Sequence, residues 1–529
     1  MLKTYTTTSV LLPKRLKLVS LQHSSKMTND ATLSETRSQH PQPQPTPASQ
    51  SAKQQAQARQ RPATYFPLGY KEAAHQWWTS LSSRQAERNV LSYIPWLREA
   101  GSDSHAQELA KSDPFGKRIW QSSMVQLSGK NRALNELAIH REGEQADDTL
   151  VMLHGYGAGL GFFYKNFEPL SRVKGWKLYA LDMLGMGNST RPPFRIHATD
   201  PQEKIREAEN WFIDALEEWR RIRNIEKFTL MGHSLGGYLA VSYALKYPGR
   251  LNKLILASPV GIPEDPWAVN ADMPEPEEST MANEFTQDQE SIVQGKPAGV
   301  PGADNSKFLQ ARDKKAAAAQ PNNATTPPKR PIPGWLVWLW DANVSPFSLV
   351  RLTGPFGPRL VSGWTSRRFN HLPPDEKDAI HAYTYSLFRQ KGSGEYALPY
   401  LLAPGAYARS PVINRIQDVG RQIISPATET APAVRETGFP IVLMYGDNDW
   451  MDVAGGYAAE EKIKQRVVQA LLHGTDEEKR RENGAARVLI VRKAGHHLYI
   501  DNPDEFNEFV RREMEETREE GVRRRALLG

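Results

Sequence analysis

The chain has 529 residues, with 67 Lys and Arg against 60 Asp and Glu, and it has no cysteine. The lack of cysteine excludes disulfides, cysteine nucleophiles and zinc–thiolate sites. No run of about 18 apolar residues occurs, so no transmembrane helix is expected. The formal charge of +7 is a mild bias toward anionic partners, including acidic lipid surfaces, and no nucleic-acid-binding module is found.

The N-terminal segment differs in composition from the rest of the chain. Residues 1–29 are basic, rich in Ser and Thr, and contain no acid before Asp30. This composition is typical of a mitochondrial transit peptide, and the alternative is a disordered basic tail. Residues 31–62 are rich in Gln, Pro, Ser and Ala and are predicted to be a disordered linker. We therefore assign residues 1–62 to a targeting segment and linker.

From residue 63 the pattern changes to alternating helices and strands. Apolar residues recur at helical spacing over 71–94, and two strand-like runs follow at 119–127 and 134–140. Strands separated by helices predict a mostly parallel sheet that is covered by helices on both faces. Residues 63–262 form the first part of this α/β core, and residues 436–529 form its second part. Its main elements are predicted as strands at 149–153, 177–181, 228–232, 254–257, 441–446 and 487–491, and helices at 203–224 and from Pro503.

The stretch between the two core parts, 263–435, is predicted to be an inserted cap or lid. Its first portion, 263–330, is acidic and then rich in Ala, Asn, Pro and Lys, which favours a flexible segment. An aromatic run, 335–340, opens a more apolar portion with interleaved arginines. This portion suits either the packed core of a cap or a contact with a membrane interface.

The most informative stretch is 228–240, where a predicted strand ends at Gly232 and a predicted helix begins after Gly237. Between them lies Gly-His-Ser-Leu-Gly, the pattern of a nucleophile elbow. A strand that turns directly into a helix crowds the backbone, which requires glycine on both sides of the turn. We predict that Ser234 is the nucleophile.

A serine nucleophile needs a base and a third group that orients the base. The loop after the last predicted strand supplies His496, which we assign as the base. The loop after the strand that ends at Gly446 supplies the acid. Asp449 is favoured on triad logic, and Asp452 remains the alternative acid.

An oxyanion hole needs two backbone N–H groups directed at the developing negative charge. Leu235, directly after the nucleophile, is expected to supply one of them. The other is expected from the glycine-rich stretch that follows the strand at 149–153, with Tyr156 as the favoured donor. His154, at the start of that stretch, is expected to brace the loop.

These motifs resemble the alpha/beta hydrolase family over about 118–262 and 436–516. Within that family the chain resembles one branch in particular, which holds the fungal mitochondrial cardiolipin-specific deacylases and the ABHD4- and ABHD5-type lipid proteins. In that branch some members carry the triad acid at the place that matches Asp452. The branch also has a His-x4-Asp pattern, here His496 and Asp501, for which acyltransferase activity on lysophosphatidic acid has been proposed. The motifs that carry the resemblance are His154-Gly-Tyr-Gly-Ala-Gly, Gly232-His-Ser-Leu-Gly-Gly-Tyr-Leu-Ala, Tyr445-Gly-Asp-Asn-Asp-Trp-Met-Asp and Gly495-His-His-Leu-Tyr-Ile-Asp-Asn-Pro.

The resemblance implies a carboxylic ester hydrolase, a serine lipase of phospholipase A type that deacylates cardiolipin to monolysocardiolipin and free fatty acid. Such chemistry needs no metal or organic cofactor. The alternatives are an acyl-CoA-dependent lysophosphatidic acid acyltransferase and a non-enzymatic lipid-binding scaffold. The expected partner is a phospholipid at a membrane surface. The expected location is mitochondrial and peripheral, at the inner membrane or its matrix face. Because cardiolipin carries two phosphates, cap arginines Arg351, Arg367 and Arg368 are candidate headgroup contacts.

Overall fold

The computed structural model describes residues 66–100, 113–264, 288–295, 340, 342–430 and 432–528. The predicted targeting segment and linker, 1–62, lie outside the described residues. So do most of the predicted flexible stretch, 263–330, and residues 335–339 of the aromatic run.

The described residues form a nine-stranded, mostly parallel sheet with helices on both faces, which confirms the predicted fold class. The strand order is β1-β2-β3-β5-β4-β6-β7-β10-β11, and only the β2–β3 and β3–β5 pairs of this sheet are antiparallel. A separate antiparallel pair joins β8 and β9. The strands are β1 (Arg98–Glu99), β2 (Arg118–Gln126), β3 (Ala133–Arg141), β4 (Asp148–Leu153), β5 (Trp176–Leu181), β6 (Phe228–His233), β7 (Leu251–Ala257), β8 (Ile423–Ser425), β9 (Val434–Arg435), β10 (Pro440–Gly446) and β11 (Ala485–Val491).

The helical region predicted at 71–94 is two helices, because the chain leaves the helical conformation at Ser80 and Ser82 caps the second helix. The other long helices begin and end within two residues of their predicted bounds where bounds were given. The helices are α1 (Tyr70–Thr79), α2 (Ser83–Leu91), α3 (Tyr164–Leu170), α4 (Pro201–Ile222), α5 (Leu235–Lys246), α6 (Gln289–Val293), α7 (Pro346–Leu352), α8 (Gly357–Arg368), α9 (Pro374–Phe388), α10 (Leu398–Leu401), α11 (Val453–His473), α12 (Asp476–Arg481), α13 (Leu498–Asp501) and α14 (Pro503–Leu528).

The central strands contain unbroken apolar runs, such as Leu150–Leu153 in β4 and Leu254–Ala257 in β7, because both of their faces are buried. In β4, Leu150 and Met152 enter one hydrophobic core, whereas Val151 and Leu153 enter the other. Period-two alternation between two buried faces produces an unbroken apolar run rather than an apolar–polar alternation. This burial orders the sheet, and the loops at the carboxyl ends of its strands are held on a rigid base.

Helices α7 to α10 lie in residues 342–402, a described part of the predicted insertion 263–435, and we use the word cap for this part from here on. Tyr383 of α9 is fully buried, and its hydroxyl donates a hydrogen bond of 3.2 Å to Glu87 of α2. Phe369, directly after α8, packs against Phe162 of the core with ring centroids 5.9 Å apart. The cap is therefore joined to the α/β core by buried polar and aromatic contacts. None of the described helices is both long and apolar enough to cross a bilayer.

Candidate active site

The nucleophile elbow has the geometry that its sequence predicts. Strand β6 ends at His233, α5 begins at Leu235, and Ser234 between them has φ +53° and ψ −116°. A positive φ is uncommon for a residue with a side chain and is a mark of functional strain. A Cβ on Gly232 would come within 2.3 Å of the Gly236 carbonyl oxygen, so glycine is required there.

The structure brings His496 and Asp449 together. The Nδ1 atom of His496 lies 3.2 Å from Oδ1 of Asp449, and both residues are almost fully buried. An ionised carboxylate can only accept, so Nδ1 carries the proton and donates it to Asp449. In the neutral ring this leaves the Nε2 lone pair available as a base.

Asp449 is oriented by one contact within its own loop and by one from another segment. The backbone N–H of Met451 donates to Oδ1 at 3.0 Å, and the hydroxyl of Ser258 donates to Oδ2. Ser258 follows β7, the strand next to β10, and it also has a positive φ of 45°. Sequence reasoning missed Ser258. Its one available signal is its position at the carboxyl end of a central strand.

Asp452 occupies a different position from Asp449. Its side chain caps the N-terminus of α11 by accepting the Ala454 N–H at 2.8 Å. Burial raises the pKa of Asp452 to about 6, against the lowering effect of two backbone hydrogen bonds. Of the two candidate acids, the structure places Asp449 against His496 and gives Asp452 a capping contact.

The elbow and the base are joined through His233. Its Nε2 donates to the backbone carbonyl of His496 at 2.9 Å, and the two rings lie 4.7 Å apart. Trp450 covers another side of the His496 ring, at 4.8 Å between centroids. Among the hydrogen bonds of the described residues, none joins the Ser234 hydroxyl to His496. Such a bond often forms only when substrate is bound.

The predicted oxyanion donors lie beside the nucleophile. Leu235 is the first residue of α5, so its N–H has no partner within the helix and lies at the positive end of the helix dipole. The loop that carries Tyr156 passes close to the elbow, because a Cβ on Gly155 would lie 3.1 Å from the Ser234 Cβ. The ring of Tyr156 stacks on Phe347 of the cap at 5.0 Å.

His154 braces this loop as a neutral residue. It is fully buried, its Nε2 accepts the Met183 N–H at 3.0 Å, and its Nδ1 donates to the Gly155 carbonyl at 2.7 Å. Burial lowers the pKa of His154, against the nearby charge of Asp182. The residue therefore fixes the loop conformation without carrying charge.

The candidate headgroup arginines have protein partners. The guanidinium of Arg351 makes a two-point contact with Glu395, at 2.6 and 3.2 Å. Arg368 is only 1% exposed and contacts Asp501 with two nitrogens, each at 3.0 Å. The expectation that Arg368 contacts a headgroup requires an exposed side chain, and the structure places it inside the protein. Arg367 is half-buried on α8.

Asp501, the acid of the His-x4-Asp pattern, is also buried. Besides the Arg368 contact, its Oδ2 accepts the Gly495 N–H at 2.9 Å. Asp501 therefore holds the loop that carries His496, whereas the hydrogen bond to the His496 ring comes from Asp449. Among the described residues no group of three His, Asp or Glu side chains is arranged to hold a metal ion.

Comparison with known proteins agrees with this fold. Among its relatives, a 1-acylglycerol-3-phosphate O-acyltransferase of Arabidopsis thaliana is 29% identical over 80% of this chain and 78% of its own. The mouse protein 1-acylglycerol-3-phosphate O-acyltransferase ABHD5 is 28% identical over 74% of this chain and 84% of its own. A human (lyso)-N-acylphosphatidylethanolamine lipase is 29% identical over 69% of this chain and 79% of its own. The chain is thus similar to ABHD5-type proteins, and because residues 148–503 match the alpha/beta hydrolase fold family, it belongs to that family.

Proposed function

We propose that the protein is a serine-dependent phospholipid acyl hydrolase and that cardiolipin is its substrate. The observation that carries the proposal is the contact between His496 and Asp449 beside a strained Ser234. The names of the relatives, which include a phospholipid lipase, favour a lipid ester as substrate. The choice of cardiolipin follows from the family resemblance of the motifs, and fold alone does not supply it.

In the proposed reaction, Nε2 of His496 takes the proton of the Ser234 hydroxyl as Oγ attacks the ester carbonyl carbon. The Leu235 and Tyr156 N–H groups stabilise the oxyanion of the tetrahedral intermediate. His496 then protonates the departing lysolipid oxygen, which leaves an acyl-enzyme. Water, deprotonated by His496, attacks the acyl carbonyl, and collapse releases the fatty acid and the free serine.

We also propose that the enzyme works as a peripheral protein on a membrane surface. Helix α1 and the cap both carry exposed apolar side chains, among which Trp78 of α1 is 81% and Leu352 of the cap is 82% exposed. Tyr70 of α1 packs edge-on against Phe356 at 5.8 Å, and Arg359 lies over the Tyr70 ring at 4.3 Å. Large exposed apolar side chains with nearby cations are suited to a lipid interface.

The location remains a proposal that rests on the composition of residues 1–29. A mitochondrial address would place the enzyme next to cardiolipin-rich membrane. Fractionation of cells that express the full chain or a chain lacking residues 1–29 tests it, and an unchanged distribution would contradict it.

The acyltransferase remains a second candidate because two of the relatives carry that name. It would transfer an acyl group from acyl-CoA to the free hydroxyl of a lysophospholipid and would depend on Asp501 rather than on Ser234. A product assay that includes acyl-CoA separates the two functions. The scaffold alternative predicts no turnover of either kind.

The test is a mass-spectrometric product assay on vesicles of cardiolipin, phosphatidylcholine and phosphatidylethanolamine, with and without acyl-CoA. We expect monolysocardiolipin and fatty acid from the parent protein and none from Ser234→Ala. Ser242→Ala is the matched control, since Ser242 is buried on helix α5, which begins directly after Ser234, and its hydroxyl bonds only the Tyr238 carbonyl among the described contacts. Equal turnover by the parent and Ser234→Ala would refute the proposal.

A further inference from the structure

A buried ion pair joins the cap to the loop that carries His496. Arg368 is the last residue of the cap helix α8, and Asp501 is the last residue of α13. The two guanidinium nitrogens each lie 3.0 Å from a carboxylate oxygen, and both side chains are essentially inaccessible to solvent. A two-point contact of this kind fixes direction as well as distance. The orientation of α8 is therefore fixed relative to the residues that follow His496.

The same carboxylate reaches the residue just before the base. Oδ2 of Asp501 accepts the backbone N–H of Gly495 at 2.9 Å. Gly495 and Asp501 are thus tied across the loop, with His496 between them. Because the carboxylate is shared, the position of the Gly495 peptide depends on where Arg368 holds Asp501.

Arg368 also reaches the residue just after the base. Its Nε donates to Nδ1 of His497 at 2.9 Å. An Nδ1 that accepts is unprotonated, so the proton of the neutral His497 ring is on Nε2. Burial and the charge of Arg368 hold the pKa of His497 well below its ordinary range. His497 is therefore neutral and accepts a hydrogen bond from Arg368. This contact fixes the peptide that follows His496 as well.

We propose that Arg368 is a positioning residue: from the cap, it fixes the peptides on both sides of His496 and so directs the His496 ring toward Ser234. The inference rests on the proposed function. If Arg368 has this role, the His496 ring is correctly placed only when the cap is packed against the core. It also gives the His-x4-Asp pattern a role in this chain that does not involve acyl transfer, because Asp501 is the group through which Arg368 acts.

The physical argument is the sensitivity of proton transfer to geometry. A displacement of about 1 Å in a catalytic group costs roughly 10²-fold in rate. Removal of either member of a buried ion pair leaves the other charge without its partner, so the loop must rearrange. A residue that only stabilised the fold would lower the unfolding temperature and leave the turnover of the folded enzyme unchanged.

The experiment uses the full chain and two probes that need no membrane: a short p-nitrophenyl ester and a fluorophosphonate that labels activated serines. For Arg368→Met we expect kcat and the labelling rate to fall together by about 10–100-fold, with KM for the ester within about twofold. Arg368→Lys keeps the positive charge but lacks the planar guanidinium that makes the two-point contact, so we expect it to retain more kcat than Arg368→Met. Arg368→Met with Asp501→Asn is expected to cost no more than the worse single change.

Arg421→Met is the matched control. Arg421 also makes a two-point, largely buried ion pair, with Glu482. This pair lies at the amino ends of β10 and β11, whereas the candidate site lies at their carboxyl ends. We expect it to lower the unfolding temperature and to leave kcat unchanged.

Full kcat and labelling rate in folded Arg368→Met, or losses no larger than those of Arg421→Met, would overturn the inference. If Arg368→Met does not fold, Asp501→Asn and the double variant decide in the same way. Failure of the proposed function has a different signature, because the parent protein would then show no labelling and no ester hydrolysis that depends on Ser234.

Discussion

The candidate site has two sides, and they are held by different interactions. On the sheet side, Ser234, Asp449 and His496 lie on the turn or loops that follow β6, β10 and β11, and the order of these strands predicts where they lie. On the cap side, Phe347, Phe388 and Arg368 come from separate helices and are held by contacts with distant parts of the chain. Local backbone geometry is recorded in short motifs, whereas long-range contacts are not. The chemistry of the site is therefore easier to predict from the sequence than its cover.

The sharpest test of the sheet side is Asp449→Asn. An amide in place of the carboxylate no longer holds the Nδ1–H tautomer of His496, and it does not stabilise the imidazolium that forms during attack. We expect kcat of ester hydrolysis to fall by about 10⁴-fold with little change in fold. Steady-state kinetics on a short ester and far-UV circular dichroism measure the two effects.

Asp452→Asn is the matched control for this change, three residues along the same loop. Asn caps helices about as well as Asp, so the stability of α11 is expected to change by less than about 1 kcal/mol and kcat to stay the same. If Asp452→Asn lost most of its kcat while Asp449→Asn stayed active, Asp452 would be the triad acid and Asp449 would not.

The contrast between the two sides also explains what the sequence could predict. The parallel sheet follows from strands buried on both faces, and the elbow follows from two glycines that admit no Cβ. His496 and Asp449 follow from strand order. Arg368 was expected at the surface because an arginine in an apolar stretch has no visible partner when Asp501 is 133 residues away. Ser258 and the break at Ser80 depend on dihedral angles and packing that no short motif encodes.

A second test concerns Glu87, where the core meets the cap. Its carboxylate accepts hydrogen bonds from Asn135 and Asn188 of the core and from Tyr383 of the cap. Burial, and then the charge of Asp182, raise the pKa of Glu87 from 4.5 to about 8. Between these values the folded state binds more protons than the unfolded state. Stability from this group is therefore present at low pH and is lost as the pH rises through about 8.

We expect the free energy of unfolding of the parent protein to fall by on the order of 1–3 kcal/mol between pH 5 and pH 8 because of this group. Glu87→Gln keeps the shape and removes the titration, so its urea-unfolding curves should vary less over the same range. A pH dependence identical in the two proteins would show that Glu87 titrates at its ordinary pKa, and the core–cap contact would then not depend on its protonation.

The smallest expected effect tests the contact between the two sides directly. Gly157 has φ +72°, and a Cβ there would lie 2.8 Å from the Phe347 ring and 3.3 Å from Phe388. Gly143 has a similar φ of +75°, but its Cβ would meet nothing within 4 Å. Alanine at either position therefore pays the same backbone strain of about 1–2 kcal/mol, and only Gly157→Ala also pushes on the cap.

We expect Gly157→Ala to lose roughly 1 kcal/mol more stability than Gly143→Ala in urea unfolding, because the two rings must move. Since Phe347 stacks on Tyr156, whose N–H is a proposed oxyanion donor, ester hydrolysis should also fall for Gly157→Ala and not for Gly143→Ala. Equal losses of stability would mean that the Phe347 ring moves aside without a measurable loss of free energy of unfolding. The cap would then cover the oxyanion loop without constraining it, and its hold on the site would rest on Arg368 and the buried contacts of α9.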